Sequence, residues 1–123
     1  PLSLGRLQNG TWIVASETCA FDLVGAKFIR DIRPGEMLTF EKGKEPFSEQ
    51  IFKPDYHPCA FEYIYFARPD SIIDGKNVYI TRLKMGRQLA RETPADIDLV
   101  LPIPDSGVAA ARGFAEELGV PFE

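Results

Sequence analysis

The first part of the chain alternates apolar residues with polar or small ones, and the second part repeats its apolar residues at helical spacing. Short alternating runs that end in turn residues predict antiparallel strands. Residues 17–25 lie between two such runs and predict a turn or a short helix that ends at Gly25. The first third is therefore predicted to be an antiparallel β-meander. Its predicted strands are residues 2–7, 11–16, 26–32, 37–41 and 46–52.

The pattern changes after residues 53–58, where two prolines among polar residues predict a linker or a domain boundary. The aromatic-rich residues 60–67 then predict a strand. Helical spacing predicts two helices, over 77–92 and 108–118, with a short buried strand over 98–103 between them. The order strand, helix, strand, helix indicates a βαβ unit and a largely parallel sheet.

Composition narrows the class of protein. The 123 residues are 45% hydrophobic and 26% charged, which is typical of a globular domain of ordinary size. The net charge of -4 argues against binding to a nucleic-acid backbone, which needs a basic face. No apolar run approaches the roughly 20 residues of a membrane span, and no signal peptide is visible.

The cysteines and the chain ends add two expectations. Cys19 and Cys59 are too few and too far apart for a disulfide framework, so we expect a reducing, cytoplasmic setting in which Cys19 serves packing. Pro1 is not a natural translation start, and both ends have strand-like sequence. We therefore interpret the chain as an internal fragment of a longer protein.

Pro104, Asp105, Ser106 and Gly107 form a polar loop between the predicted buried strand and the last helix. Ligands of open α/β sheets bind at this position, and the amides of a helix N-terminus attract phosphate. Asp105 would repel a bare pyrophosphate, but Mg²⁺ would bridge the two. The alternative is that Asp105 or Ser106 only caps the helix, which is worth about 1 kcal/mol.

The loop over 68–75 also has two interpretations. Arg68, Asp70 and Asp74 could orient a polar ligand, or the loop could be a turn whose polar groups satisfy one another. His57 is the only histidine, so any catalytic triad or Cys-His pair would have to use it.

The aromatic residues before this loop predict packing rather than ligand stacking. Phe61, Tyr63 and Tyr65 would share one strand face and belong to the core. Glu62 would lie on the other face, and if buried it would need a partner such as Arg68 or Arg82.

Three segments together resemble one enzyme family. Residues 15–25 (ASETCAFDLVG) are similar to the late part of a class II glutamine amidotransferase domain. Residues 61–71 (FEYIYFARPDS) resemble a hallmark segment of the amidophosphoribosyltransferases, and residues 103–107 (IPDSG) resemble their first phosphoribosyltransferase loop. The match over 61–71 argues against a different amidotransferase or phosphoribosyltransferase family.

The resemblance implies an α+β region followed by an α/β region. Residues 1–55 would be the end of an N-terminal-nucleophile hydrolase β-sandwich, the glutamine amidotransferase type 2 domain. Residues 56–123 would be the first strand-helix-strand-helix part of a type I phosphoribosyltransferase fold. The implied reaction joins ammonia from glutamine to phosphoribosylpyrophosphate, which gives 5-phosphoribosylamine, the first committed step of purine synthesis.

The resemblance also implies roles for individual residues. Ser106 matches a Mg²⁺ position, Asp105 and Gly107 line the same substrate loop, and Cys59 matches a ligand of the [4Fe-4S] cluster of many family members. No catalytic residue falls within the chain, because the nucleophilic cysteine and the main phosphoribosylpyrophosphate loop lie elsewhere in the family. We therefore expect the chain alone to be inactive and the intact parent to be a homo-oligomer.

A second interpretation remains open. The β-strands and the βαβ unit could form a stand-alone, non-catalytic module that binds a phosphosugar or contacts another subunit.

Overall fold

The computed structural model describes residues 1–123 and contains seven strands, three α-helices and one π-helix. The strands are Ser3–Arg6 (β1), Trp12–Ala15 (β2), Lys27–Asp31 (β3), Glu36–Thr39 (β4), Phe47–Gln50 (β5), Ile72–Ile73 (β6) and Lys76–Asn77 (β7). The α-helices are Cys19–Val24 (α1), Val78–Glu92 (α2) and Gly107–Leu118 (α3), and the π-helix is Glu62–Phe66. None of these helices combines the length and the apolarity needed to cross a bilayer.

The first sheet is antiparallel and has the order β2-β1-β3. The predicted hairpin between β1 and β2 is confirmed, and its turn is closed by the amide of Thr11, which donates to Asn9 Oδ1 at 3.0 Å. The meander order is wrong, because β3 pairs with β1 rather than with β2. Helix α1 follows β2 and carries the chain to the other edge of β1. The ring of Phe21 in α1 packs on Gly5, where a Cβ would lie 2.8 Å from it.

A separate two-stranded sheet, β4-β5, is tied to the first sheet by the carboxylate of Glu36. Arg30 of β3 donates two hydrogen bonds to it, at 2.8 and 2.5 Å, and Ser48 of β5 donates one at 2.5 Å. The Glu36 side chain is 1% exposed. The guanidinium of Arg30 is the main cause that lowers the pKa of Glu36 to about 2.

The predicted strand over 60–67 is wrong, because this segment forms the π-helix. The amide of Ala67 donates to the carbonyl of Glu62 at 3.0 Å, and the Arg82 guanidinium donates to the carbonyls of Tyr63 and Ala67 at 2.6 and 2.7 Å. The alternation of residue types within 60–67 could not predict the π-helix, because the contact with Arg82 comes from helix α2.

The prediction of an aromatic core is also wrong for most of this segment. Tyr63 packs against the small core cluster of Ala67, Ile73 and Val78. Phe61 and Tyr65 are about half exposed and contact each other edge to face. Glu62 is partly exposed, and its side chain forms no hydrogen bond to Arg68 or Arg82.

Helices α2 and α3 are confirmed and pack backbone to backbone. A Cβ on Gly86 would lie 1.8 Å from the carbonyl oxygen of Ala110, and one on Gly113 would lie 2.0 Å from that of Leu83. Only glycine permits this approach. Asn77 is the N-cap of α2, and its side chain accepts from the amide of Ile80 at 3.0 Å.

The predicted buried strand over 98–103 is reduced to one bridge, in which Val100 pairs in parallel with Phe122. The amide of Val100 donates to the carbonyl of Pro121 at 3.0 Å. Leu101 and Ile103 are 67% and 84% exposed, because no second segment packs on them. This parallel pairing spans α3. The predicted βαβ unit is not formed, because residues 60–67, its first strand, form the π-helix.

Candidate functional site

The loop at 104–106 follows the Val100 bridge and leads directly into α3, as predicted, but a single parallel bridge stands in place of the predicted buried strand. The peptide bond between Pro104 and Asp105 is cis. The backbone amides of Ser106 and Gly107 have no intramolecular acceptor. A Cβ on Gly107 would meet nothing within 4 Å, so the space above this helix end is open.

The capping interpretation of Asp105 and Ser106 is not borne out. Ser106 occupies the N-cap position of α3, but its side chain makes no capping hydrogen bond. The amide of Val108 is bonded instead to the backbone carbonyl of Asp105, at 3.3 Å. Asp105 is exposed and Ser106 is partly buried. Both side-chain oxygens therefore remain available to a ligand.

The loop over 68–75 begins with a turn that satisfies its own polar groups. Arg68 forms a two-pronged ion pair with Asp70, with N–O distances of 3.0 and 2.9 Å. The hydrogen bond from Arg68 lowers the pKa of the Asp70 carboxyl. The amide of Ser71 donates to the carbonyl of Arg68 at 3.1 Å. This pairing agrees with the second of the two interpretations made from the sequence, although it leaves the outer face of Arg68 exposed.

Arg82 is a site residue that sequence reasoning considered only as a partner for Glu62. It is 4% exposed and bonds two carbonyls instead of a carboxylate. Burial lowers the pKa of its guanidinium. The only signal in the sequence is a cationic residue at the spacing of the apolar face of α2.

The structure brings these groups to one open hollow of about 430 Å³. The hollow lies between the end of the π-helix, the start of α2 and the start of α3. Its size is in the range of small-molecule sites. The polar and aromatic residues that line it are Tyr65, Phe66, Arg68, Tyr79, Arg82, Asp105 and Ser106.

Cys59 lies elsewhere, beside a larger cavity of about 660 Å³ between the two parts of the chain. It is exposed, whereas Cys19 is buried, as the packing prediction requires. His57 also lines this cavity and lies 2.9 Å from the exposed Asp55. Neither His57 nor Cys59 lines the hollow with Ser106.

No group of three or more His, Cys, Asp and Glu side chains could hold a metal ion. The oxygens of Asp105 and Ser106 are hard donors that suit Mg²⁺, but they would complete its shell only together with phosphate and water oxygens. A [4Fe-4S] cluster needs four thiolates, and the chain supplies Cys59 as its only exposed one. Asp105 and Ser106 thus suit Mg²⁺, and Cys59 would supply one thiolate of a cluster.

The chain is similar to known proteins in sequence and in structure. No family model matches the chain. Curated relatives do match it from end to end. An amidophosphoribosyltransferase from Mycobacterium tuberculosis is 52% identical over 122 residues, which are 99% of this chain and 23% of that protein. The chain is homologous to a part of the amidophosphoribosyltransferases. The enzyme of this name from Methanothermobacter thermautotrophicus is 48% identical, over 99% of this chain and 26% of its own length.

Solved structures agree with this homology. The chain superposes on a structure of the allosteric regulatory enzyme of purine biosynthesis with a TM-score of 0.95 and 46% identity. It also superposes on a glutamine phosphoribosylpyrophosphate amidotransferase from B. subtilis, complexed with ADP and GMP, with a TM-score of 0.94 and 46% sequence identity. Both matches cover 100% of this chain and 26% or 27% of the other. The resemblance to amidophosphoribosyltransferases and the mixed α/β content are thus confirmed, and the chain spans about a quarter of the relatives it matches.

Proposed function

We propose that this chain is one part of a longer polypeptide that makes 5-phosphoribosylamine from phosphoribosylpyrophosphate and glutamine, as the first committed step of purine synthesis. The homology to amidophosphoribosyltransferases over 99% of the chain supports the proposal. The structural observation that supports it is the loop at 104–107: the amides of Ser106 and Gly107 have no intramolecular acceptor, and Asp105 and Ser106 line an open hollow.

The two parts of the chain fit the two half-reactions. Residues 1–55, with their antiparallel sheets, would close the N-terminal-nucleophile hydrolase sandwich that releases ammonia from glutamine. Residues 56–123 would open the type I phosphoribosyltransferase fold, and the parallel bridge across α3 is the feature that supports this assignment. The exposure of Leu101 and Ile103 supports further packing partners on that segment.

The amides of Ser106 and Gly107 would donate to the diphosphate of the substrate, and Gly107 leaves room for its close approach. The Ser106 hydroxyl, with Asp105 beside it, would hold Mg²⁺ against the same diphosphate. Bound there, Mg²⁺ would offset the negative charge that accumulates on the leaving pyrophosphate. The chain supplies no nucleophile for glutamine, so we expect no turnover from these residues alone.

Cys59 would be at most one ligand of a [4Fe-4S] cluster in the intact protein, and no step of the reaction is assigned to it. Assembly of the intact protein into a homo-oligomer is part of the same proposal.

The experiment replaces Ser106 by alanine in the full-length protein and measures pyrophosphate release with ammonia as the nitrogen donor. Loss of a group that acts on the leaving diphosphate should lower kcat/KM by roughly 10²-fold. Hydrolysis of glutamine should be unchanged. The matched control is Ser16→Ala, which removes an exposed hydroxyl in the other part of the chain.

Absence of pyrophosphate release by the unaltered protein would contradict the proposed function. Equal rates for the Ser106 and Ser16 variants would contradict the role of the 104–107 loop.

A further inference from the structure

One carboxylate joins the two parts of the chain. Glu17 precedes α1, and its Oε2 atom accepts hydrogen bonds from the amide of Arg68 and from Ser71 Oγ, each at 2.7 Å. These donors are 51 and 54 positions away along the chain. The neighbouring Thr18 Oγ1 accepts from the amide of Ile72 at 2.8 Å. Two adjacent residues of the first part therefore hold three groups of the turn over 68–72.

The hydrogen bond from Ser71 is the shielded part of this contact. Ser71 is 0% exposed. Hydrogen bonds to a charged acceptor are about twice as strong as neutral ones, and water competes poorly for a buried donor. The bond from Ser71 to Glu17 therefore fixes the turn more firmly than an exposed bond would.

The opposite side of the same turn faces the hollow. Arg68 and Pro69 line the hollow together with Ser106. The carbonyls of Pro69 and Ser71 accept from the amides of Tyr79 and Val78, both at 3.0 Å, so the turn is also fixed to the start of α2. These bonds hold the turn against the wall of the hollow independently of its contact with Glu17.

We propose that Glu17 is a positioning residue that couples the two half-reactions by holding the 68–72 turn against the first part of the chain. This inference rests on the proposed function. It assigns to Glu17 no contact with either substrate. Its role is to keep the site of ammonia release and the hollow in one fixed arrangement. Ammonia released from glutamine would then react with the phosphoribosylpyrophosphate bound in the hollow.

The test uses the full-length protein and compares two nitrogen donors. Glu17→Ala removes the acceptor, and we expect glutamine-dependent pyrophosphate release to fall by roughly tenfold or more, as misplacement of reacting parts does. Ammonia-dependent release should stay within about twofold, because the hollow itself is unaltered. Glutamate should then form in excess over pyrophosphate.

Two further variants separate positioning from simple loss of structure. Glu17→Gln keeps an oxygen that can accept both bonds, so it should restore most of the coupling. Ser71→Ala removes only one of the bonds and should uncouple the reactions partially, and it serves as the test if Glu17→Ala does not fold. Glu41→Ala is the matched control, since Glu41 is exposed and pairs only with Lys44.

Equal losses with both donors, or glutamate and pyrophosphate still formed in equal amounts by Glu17→Ala and Ser71→Ala, would overturn the inference and leave the proposed function standing. Failure of the unaltered protein to release pyrophosphate with either donor would overturn the proposed function, and the inference with it.

Discussion

The sheets over residues 1–52 and the helix pair α2–α3 are held together by different forces. The two sheets share few buried side chains, and β5 is exposed at every position. Their connection is the Glu36 carboxylate with its donors on β3 and β5. The helices instead meet at Gly86 and Gly113, where backbone contacts backbone. The ion pairs between α2 and α3, Arg87–Glu116 and Arg91–Glu117, lie on the exposed surface beside this crossing.

The difference has a practical consequence. A connection made by a carboxylate depends on pH and on the partner that neutralises it. A connection made by close backbone contact depends mainly on volume, because one methyl group at the crossing displaces a whole helix and exposed ion pairs contribute little. The two regions should therefore fail under different perturbations, and each of the following predictions tests that separation.

The largest effect is expected from Gly86→Ala. The added Cβ would collide with the Ala110 carbonyl, and relief requires the helices to separate. We expect a loss of about 2–4 kcal/mol in the free energy of unfolding, despite the better helix propensity of alanine. Urea denaturation followed by circular dichroism measures it.

Gly107→Ala is the matched control, since a Cβ there meets nothing within 4 Å. It should be neutral, or stabilising by up to about 1 kcal/mol. Equal stabilities for the two variants would refute the account of the crossing.

A smaller effect on the free energy of unfolding is expected when Glu36 is replaced. Its pKa is about 2 in the folded state and 4.5 is its ordinary value, so the unfolded chain takes up the proton first as the pH falls. The stability due to this group is fully present above pH 4.5 and is lost as the pH falls toward 2. Glu36→Gln should lower the free energy of unfolding at neutral pH by about 1–3 kcal/mol and flatten its acid dependence.

The control for Glu36 is Glu41→Gln, which alters an exposed pair and should change stability by less than about 0.5 kcal/mol. If both variants lose stability in acid as the unaltered chain does, Glu36 is not the group responsible.

The smallest effect concerns the linker between the two regions. Tyr56 donates a hydrogen bond to Asp74, which raises the pKa of its phenol to about 12. The stability that this bond provides is present below pH 10 and is lost as the pH rises through 12. Asp74→Asn should return the pKa of Tyr56 toward 10, as read from tyrosinate absorbance.

The pKa of Tyr63 should stay raised in that variant, because burial is its main cause. Asp70→Asn is the matched control, as its carboxylate pairs with Arg68. If Asp74→Asn leaves the pKa of Tyr56 unchanged, the hydrogen bond to Asp74 is not the cause of its raised value.

Local sequence patterns predicted those parts of the fold that depend only on residues close together in the sequence. The hairpin at Asn9–Gly10, the helix that begins after Asn77 and the end of α3 at Gly119 all follow from short-range chemistry, and the structure confirms them. The order of strands in the first sheet depends on where α1 delivers the chain, and the π-helix depends on Arg82 of α2. These are contacts over long sequence distances, which alternation cannot report.

The candidate site divides in the same way. The position of Asp105, Ser106 and Gly107 before a helix was visible from the sequence, and their structural setting agrees with it. The assembly of Asp105 and Ser106 with Arg68 and Arg82 in one hollow was not, because it requires the π-helix and the start of α2 to be in place. Glu17 was hidden for the same reason, since its donors lie more than fifty positions away.

The central claim is that the 104–107 loop receives the diphosphate of the substrate. A crystal structure of the full-length protein with phosphoribosylpyrophosphate and Mg²⁺ tests it most directly. We predict diphosphate oxygens within hydrogen-bond distance of the Ser106 and Gly107 amides, in the hollow beside Arg68. A diphosphate bound elsewhere, with this loop facing only water or another segment, would contradict the account.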